Sequence, residues 1–517
     1  MKFALRKASL RVVVVAAALA TAVPAQLPAA LAQNLPNLGD ESAAALSPQM
    51  ERKIGEGFYR ELRRDSTFIE DFEVTGYVQD LGQRLIAAGP EPGIGVEFFV
   101  LKDSQINAFA MLGGYIGVNS GLIIASESES EAASVLGHEI GHLTQKHIAR
   151  SVAAGQRSST VSMIASVLCL LAARSNPQVT SGCLAGAQAA SVQSQLAYSR
   201  DFEREADRVG LDILKRGGFD VAAMPLFFER LQRSTRILES NAPSYVRSHP
   251  LTTERIADVR NRTQGAIYRQ RADTSTFHLV RAKLRATMDE TIDGTRDAVR
   301  FFTTQIEQQT YADASAAYLG LAYAQLLAKN VAGAQSAFAR IANPGSHPMF
   351  DTLAARIRRA AGDGEGALAL LRAASRRHPN SRAIQFELIE AAQALGKHPE
   401  ALTLLRDQAQ LYRADPKVYE LQAKSYAAEG KRLAQHQALG EHYALLGALQ
   451  SAIEQYQMAR CSGEGDFYQL SIVDARIRTL WQSLLNERSD QQGAARQGSS
   501  GGERGRPAIE QGMPTRC

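Results

Sequence analysis

Residues His138-Glu139-Ile140-Gly141-His142 place two imidazoles four positions apart with a carboxylate beside the first. On an α-helix that spacing leaves only about 40° of rotation, so both rings face one point. Two neutral imidazoles so placed bind Zn²⁺, and Glu139 stands next to the water that such an ion activates. The chemistry is hydrolysis with a carboxylate base. Two histidines that simply pack in a helix are the plainer reading, and the surrounding chain has to decide.

A second charged run, Tyr198-Ser199-Arg200-Asp201-Phe202-Glu203-Arg204-Glu205-Ala206-Asp207, follows about 60 residues later. Glu203 and Asp207 are again four apart, so both carboxylates leave one helix face. The pairing invites Glu203 as third zinc ligand and Asp207 as the acceptor that holds a ligand imidazole by its other N–H. Glu205 lies off that face and is expected in solvent. Taken alone, the run reads as a solvated surface helix.

The elements that must carry these groups are legible nearby. Ala132, Val135, Leu136, Ile140 and Leu143 form an apolar stripe at helical spacing, and residues 127–131 are carboxylates and hydroxyls suited to a helix start. Gly137 and Gly141 each cost a helix about 1 kcal/mol relative to alanine, which points to another backbone packed close. Upstream, Ile106-Asn107-Ala108-Phe109-Ala110 to Gly121-Leu122 is rich in strand formers around Gly113-Gly114 and reads as a hairpin or bent strand pair. An edge strand there would pair with an extended substrate backbone, with Asn107 as a candidate substrate contact. His147 falls about 140° round the helix from His142 and cannot share the ion. His278, His347, His378, His398, His436 and His442 lack ligand spacing and are expected to be structural or solvent-facing.

A third segment, Ser248-His249-Pro250-Leu251-Thr252-Thr253-Glu254-Arg255-Ile256, completes the set. With HEIGH, YSRDFEREAD and SHPLTTERI in that order, the chain resembles the gluzincin metallopeptidases related to the prenyl-protein protease of yeast and the bacterial heat-shock membrane proteases. It is most similar to their periplasmic branch with tetratricopeptide repeats, of the β-barrel assembly-enhancing type. The resemblance implies an α+β zincin-like metallopeptidase domain, mostly helical with a small sheet, followed by an all-α tetratricopeptide-repeat solenoid. It implies His138, His142 and Glu203 as ligands of one Zn²⁺ and Glu139 as the base that later protonates the leaving amine. His249 would face the ion, either stabilising the oxyanion or filling the fourth position in a closed, latent form. Arg255 belongs to the same pattern, as a substrate contact or as an ion pair that shapes the site. Clients would be misassembled outer-membrane β-barrel proteins, and the partner the barrel-assembly machinery.

The N-terminus carries Lys2, Arg6, Lys7 and Arg11, then an apolar run to Val23 and Ala30-Leu31-Ala32. That is the layout of a secretory signal cut after Ala32, or else after Ala25. Its removal takes four positive charges from a net +5, leaving about +1 and no reason to expect nucleic acid. Export to the periplasm follows, with a soluble chain or peripheral contact with the outer membrane. Four cysteines suit that compartment. Cys169 and Cys183 could staple a helical hairpin, Cys461 then pairing with Cys517, but three connectivities are possible and the sequence does not choose. The apolar stretch Val161 to Ala173 is shorter than the roughly 20 residues that span a bilayer. A lid, a membrane-surface hairpin and a buried helix all remain open for it.

Downstream, Gly362, Gly396 and Gly430 recur 34 residues apart, with Ala367 and Ala401 at a fixed offset after the first two. That is the tetratricopeptide period, and stacked helix pairs make a concave surface that binds peptide or protein. The expected layout is a signal peptide over 1–32, a flexible leader over 33–45 and a metallopeptidase domain over 46–265. A helical linker and repeats follow over 266–485, and a Gly-, Gln-, Ser- and Arg-rich disordered tail over 486–517. The function the resemblance implies is a periplasmic zinc endopeptidase in outer-membrane protein quality control. The alternative is a chaperone or assembly factor that works through its repeats, its metal site latent.

Overall fold

The computed structural model describes residues 46–154, 200–237, 244–265 and 271–497. The signal and leader segments, Val161 to Ala173, Cys169, Cys183 and Cys517 lie outside them. Helix α1 (Pro48–Arg63) begins where Ser47 Oγ accepts the Met50 amide and Pro48 needs no amide partner. Helix α2 (Phe72–Ala88) is capped by Asp71, which accepts from the amides of Glu73 and Val74. Three short strands follow, β1 (Glu97–Leu101), β2 (Ala108–Met111) and β3 (Tyr115–Asn119). β3 lies between the others, parallel to β1 and antiparallel to β2, so among the described residues β2 is an edge. The β2–β3 turn runs through Gly113 and Gly114 at φ 79° and 91°, where a side chain would clash. The hairpin expected from the sequence forms.

Helix α3 (Ser120–Ala125) leads to α4 (Glu129–Thr144), capped by Ser128 Oγ on the Glu131 amide. Lys146 then takes φ 52°, a left-handed turn that ends α4 and lets α5 (His147–Ala154) start in a new direction. Helices α6 (Arg200–Arg216), α7 (Ala223–Ile237), α8 (Ser244–Ser248) and α9 (Thr253–Thr263) close around α4. α4 and α6 meet backbone to backbone. A Cβ on Gly141 would lie 2.9 Å from the Ala206 carbonyl oxygen, and one on Gly210 would lie 3.0 Å from the His138 amide nitrogen. Gly141 and Gly210 therefore set the distance at which Glu203 and Asp207 approach the histidines.

The chain continues as α10 (Ser275–Thr287), α11 (Ile292–Glu307), α12 (Ala314–Leu327), α13 (Val331–Phe338), α14 (Pro348–Ala360) and α15 (Gly364–Arg377). Beyond them lie α16 (Arg382–Ala394), α17 (His398–Leu411), α18 (Pro416–Ala428), α19 (Arg432–Leu445), α20 (Leu449–Arg460) and α21 (Phe467–Gln497). α14 to α19 form three helical hairpins. Gly362, Gly396 and Gly430, at φ 86°, 72° and 70°, end the first helix of each. In each turn the next amide reaches five residues back, as Lys397 N does to Ala392 O at 2.9 Å, and so satisfies an orphan carbonyl. Ala367 and Ala401 are fully buried between helices, as their spacing suggested.

One apolar core runs from Val74 through β1–β3, α4 and α7 to Phe277, Leu319 and Ile357 without a break at residue 265. Separate clusters hold the later repeats, Ala355 to Leu421, and the last helices, Leu449 to Leu480. α21 runs on to Gln497, past the compositional change near Asn486 where a disordered tail was expected to begin. Its Glu, Arg, Gln and Ala residues are good helix formers, so an established helix propagates through them. Cys461 is disulfide-bonded. Among the described residues no helix is long and apolar enough to cross a membrane.

Candidate metal centre

α4 presents His138 and His142, α6 presents Glu203 and Asp207, and the turn between α8 and α9 presents His249. These five residues and Glu139 are each at most 1 % exposed. His138 Nε2 lies 3.0 Å from His142 Nε2, 3.5 Å from Glu203 Oε2 and 3.3 Å from His249 Nδ1. Glu203 Oε1 lies 3.4 Å from His142 Nε2 and 3.0 Å from His249 Nδ1. An ion with four bonds near 2.05 Å in a tetrahedron would set its ligand atoms about 3.3 Å apart. Four donor groups already stand at that spacing, and all their ligating atoms lie within 4.8 Å of one another.

Charge leads to the same conclusion. With the imidazoles neutral, the carboxylates of Glu139, Glu203 and Asp207 face one guanidinium, that of Arg255. The two uncompensated negative charges, buried away from water, are what one divalent cation balances. The residues fit a metal.

The surroundings fix each donor. His138 Nδ1 lies 2.9 Å from Asp207 Oδ1, so its proton sits there and Nε2 offers a lone pair. Burial alone would lower His138, but hydrogen bonds to Asp207 and Glu203 outweigh it and lift it to about 9 while no ion is bound, so a binding cation displaces a proton there. Burial would raise Glu203, yet His249 and Arg255 hold it well below the usual carboxylate range. Arg255 grips Asp207 through two bonds of 2.8 Å, touches Glu203 Oε2 at 2.6 Å and donates to the Pro250 carbonyl at 2.8 Å. These contacts are those of an ion pair with Asp207 and Glu203.

Glu139 Oε2 accepts the Ala110 amide of edge strand β2 at 3.0 Å. Its Oε1 takes no hydrogen bond among the described residues and faces His249 Nε2 at 3.5 Å. Burial raises its pKa, against His249 and His138, which lower it. A carboxylate with one oxygen pinned and the other free is arranged to receive a proton. Asn107, at the start of the same strand, is buried with its Oδ1 unpaired among the described residues. The amide of Tyr245, on α8, bonds the Ile106 carbonyl at 3.1 Å, and its ring stacks on His249 at 4.8 Å.

Two contributors escaped the sequence reading. His147 is not among the four clustered donor groups, but it is fully buried with Nδ1 2.8 Å from His142 Nδ1. Glu205, expected in solvent, reaches His147 Nε2 at 3.2 Å and Arg150 at 2.9 Å. The left-handed turn at Lys146 swings His147 back over the site. One signal was present: Leu136, Ile140, Leu143 and His147 keep three-and-four spacing, so His147 occupies a core-facing phase.

A helix bearing HExxH, packed on a second helix that supplies a carboxylate and backed by a small mixed sheet, defines a metallopeptidase. Residues 73–263 match the model of peptidase family M48, and residues 358–425 match a tetratricopeptide-repeat model. The beta-barrel assembly-enhancing protease of Escherichia coli K12 is 30% identical over 459 residues, 88% of this chain and 93% of that one. The protein of the same name from Yersinia pestis is 29% identical over 457 residues, 88% of this chain and 92% of its own. The mitochondrial metalloendopeptidase OMA1 of Schizosaccharomyces pombe is 26% identical over 218 residues, 41% of this chain and 61% of its own. The chain belongs to peptidase family M48 and is a metalloprotease with tetratricopeptide repeats.

Proposed function

We propose that the chain is a periplasmic zinc endopeptidase that degrades misassembled outer-membrane β-barrel proteins, and that its repeats dock the barrel-assembly machinery. The observation that carries the chemistry is the buried set of His138, His142, Glu203 and His249 at tetrahedral spacing beside a half-free Glu139. The name of the long relatives supports the client class, and the signal-like residues 1–32 support the compartment.

His138, His142 and Glu203 hold the ion, with Asp207 and Arg255 fixing their orientation. When bound, Zn²⁺ supplies a Lewis acid that brings the pKa of water toward 7 and polarises the scissile carbonyl. Glu139 takes the proton of the attacking water at Oε1 while the Ala110 amide keeps Oε2 in place, then returns it to the leaving amine. The outward edge of β2 receives the substrate backbone, and Asn107 Oδ1 accepts one of its amides. His249 would either donate to the developing oxyanion or serve as a further ligand until the α8–α9 turn withdraws.

The complete burial of the site favours a second reading, an assembly factor whose peptidase is latent. One experiment separates the two. The purified mature chain is incubated with an unfolded outer-membrane barrel protein, beside Glu139→Gln and His249→Ala. Cleavage by wild type alone, lost with chelator and restored by zinc, supports the endopeptidase. Cleavage only by His249→Ala supports a latent enzyme, and none by any form supports the assembly factor.

A further inference from the structure

The second metal-binding histidine is held in a different way from the first. His138 meets a carboxylate directly, whereas His142 meets another imidazole. His147 Nδ1 stands 2.8 Å from His142 Nδ1, and His147 Nε2 stands 3.2 Å from Glu205 Oε2. Arg150 Nη1 holds the same carboxylate oxygen at 2.9 Å. The His147 ring lies flat on Phe202, centroids 4.5 Å apart at 9°, and the Arg150 guanidinium covers that ring at 4.5 Å. The imidazole is therefore clamped in plane and buried.

Proton placement along this chain follows from one fact: an ionised carboxylate only accepts. Glu205 Oε2 requires the proton of a neutral His147 to be on Nε2. His147 Nδ1 is then a lone pair and requires a proton on His142 Nδ1. His142 Nε2 is left as a lone pair, aimed at His138 Nε2 and Glu203 Oε1. Reversing the order would put a proton on the ligating nitrogen and face a bare His147 Nε2 with a carboxylate. Only this tautomer sequence satisfies both contacts of a neutral His147 and leaves a lone pair on His142 Nε2 for an ion.

We propose that His147 and Glu205 form a relay that positions His142 for metal binding, with Arg150 and Phe202 holding the relay in plane. This rests on the reading of His138, His142 and Glu203 as the ligand set. His147 is a positioning residue; it touches neither ion nor substrate. Removal of such an outer partner typically weakens metal affinity about 10- to 100-fold.

The test is zinc affinity, measured on the full chain by competition with a chromophoric chelator, with thermal unfolding of the metal-free protein in parallel. His147→Phe keeps an aromatic ring on Phe202 but can accept nothing. His147→Gln restores an acceptor toward His142 and a donor toward Glu205. Glu205→Ala, at a partly exposed position, removes the end of the relay with little risk to folding. Weakening of about 10- to 100-fold in His147→Phe, weakening in the same direction in Glu205→Ala, near wild-type affinity in His147→Gln and unchanged metal-free melting would support the relay. Wild-type affinity in His147→Phe or Glu205→Ala would overturn it, as would equal losses in His147→Phe and His147→Gln. Wild type that binds no more zinc than Glu203→Gln would overturn the ligand assignment itself, and the relay with it.

Discussion

Arg255 carries four polar contacts from a position closed to solvent, and its planar fork is the part that lysine cannot copy. Arg255→Lys is expected to keep the charge but lose the paired bonds to Asp207, so His138 is less firmly oriented and zinc affinity falls about 10-fold or more. Arg255→Met leaves Asp207 and Glu203 without their counter-charge, at a cost of about 3–5 kcal/mol. Chelator competition and denaturant unfolding read the two effects, and a metal affinity unchanged by the lysine variant would count against the positioning role. At this scale the sequence was informative where residues share one helix, since the four-residue spacing places His138 with His142 and Glu203 with Asp207. It did not show how His147 meets His142, because the phase angle between them assumes an unbroken helix and Lys146 breaks it at φ 52°. Glu205 was missed with it, since its partner lies on another element.

The contact between α4 and α6 depends on what is absent from their surfaces. A methyl on Gly141 would sit 2.9 Å from a backbone oxygen that cannot move alone, whereas one on Gly137 would find its nearest neighbour at an ordinary 3.4 Å. Gly141→Ala should push α6 outward, cost about 1–3 kcal/mol, and weaken metal binding by moving Glu203. Gly137→Ala should be neutral or stabilise by up to about 1 kcal/mol through helix propensity. Thermal melts with and without zinc compare the pair, and equal effects from both would refute the close-contact account. Gly141 was legible as a sign of close approach, whereas Gly137 meets only an ordinary contact, and the repeat turns at Gly362, Gly396 and Gly430 were legible too. The partner of the approach was not, because a helical stripe tells which face is buried and never against what.

At the scale of the whole molecule, the continuous core is joined by a polar knot. Lys283 on α10 is buried against Glu73 at 2.6 Å and against Asp71, while the Tyr323 hydroxyl on α12 and the Thr352 hydroxyl on α14 also reach Glu73. Lys283→Met, which strands the carboxylates, should cost about 3–5 kcal/mol and lower the melting of peptidase and repeats in one transition. Two separate transitions would show the regions to be independent. Burial would lower Lys283, but Glu73, Tyr323 and Asp71 outweigh it and hold it above the usual lysine range. Its contribution is complete below the unfolded value, about 10.4, and fades as pH rises toward the native one. Burial would raise Asp71, but Lys283 holds it below its ordinary value. That contribution is present above about pH 4 and fades as pH falls through the native value. Wild type should therefore lose stability at both extremes, and Lys283→Met should lack the alkaline part.

The burial of every ligand also has a consequence in time. An ion held where no solvent reaches can leave only when the fold opens locally, so its release should be set by the opening rate. In excess chelator, loss of zinc should then be a single exponential whose rate does not change with chelator concentration. A rate that climbs in proportion to chelator would mean the ion is reached through the closed structure. If the rate is flat, it equals the frequency with which the enzyme presents its active site, obtained without any substrate.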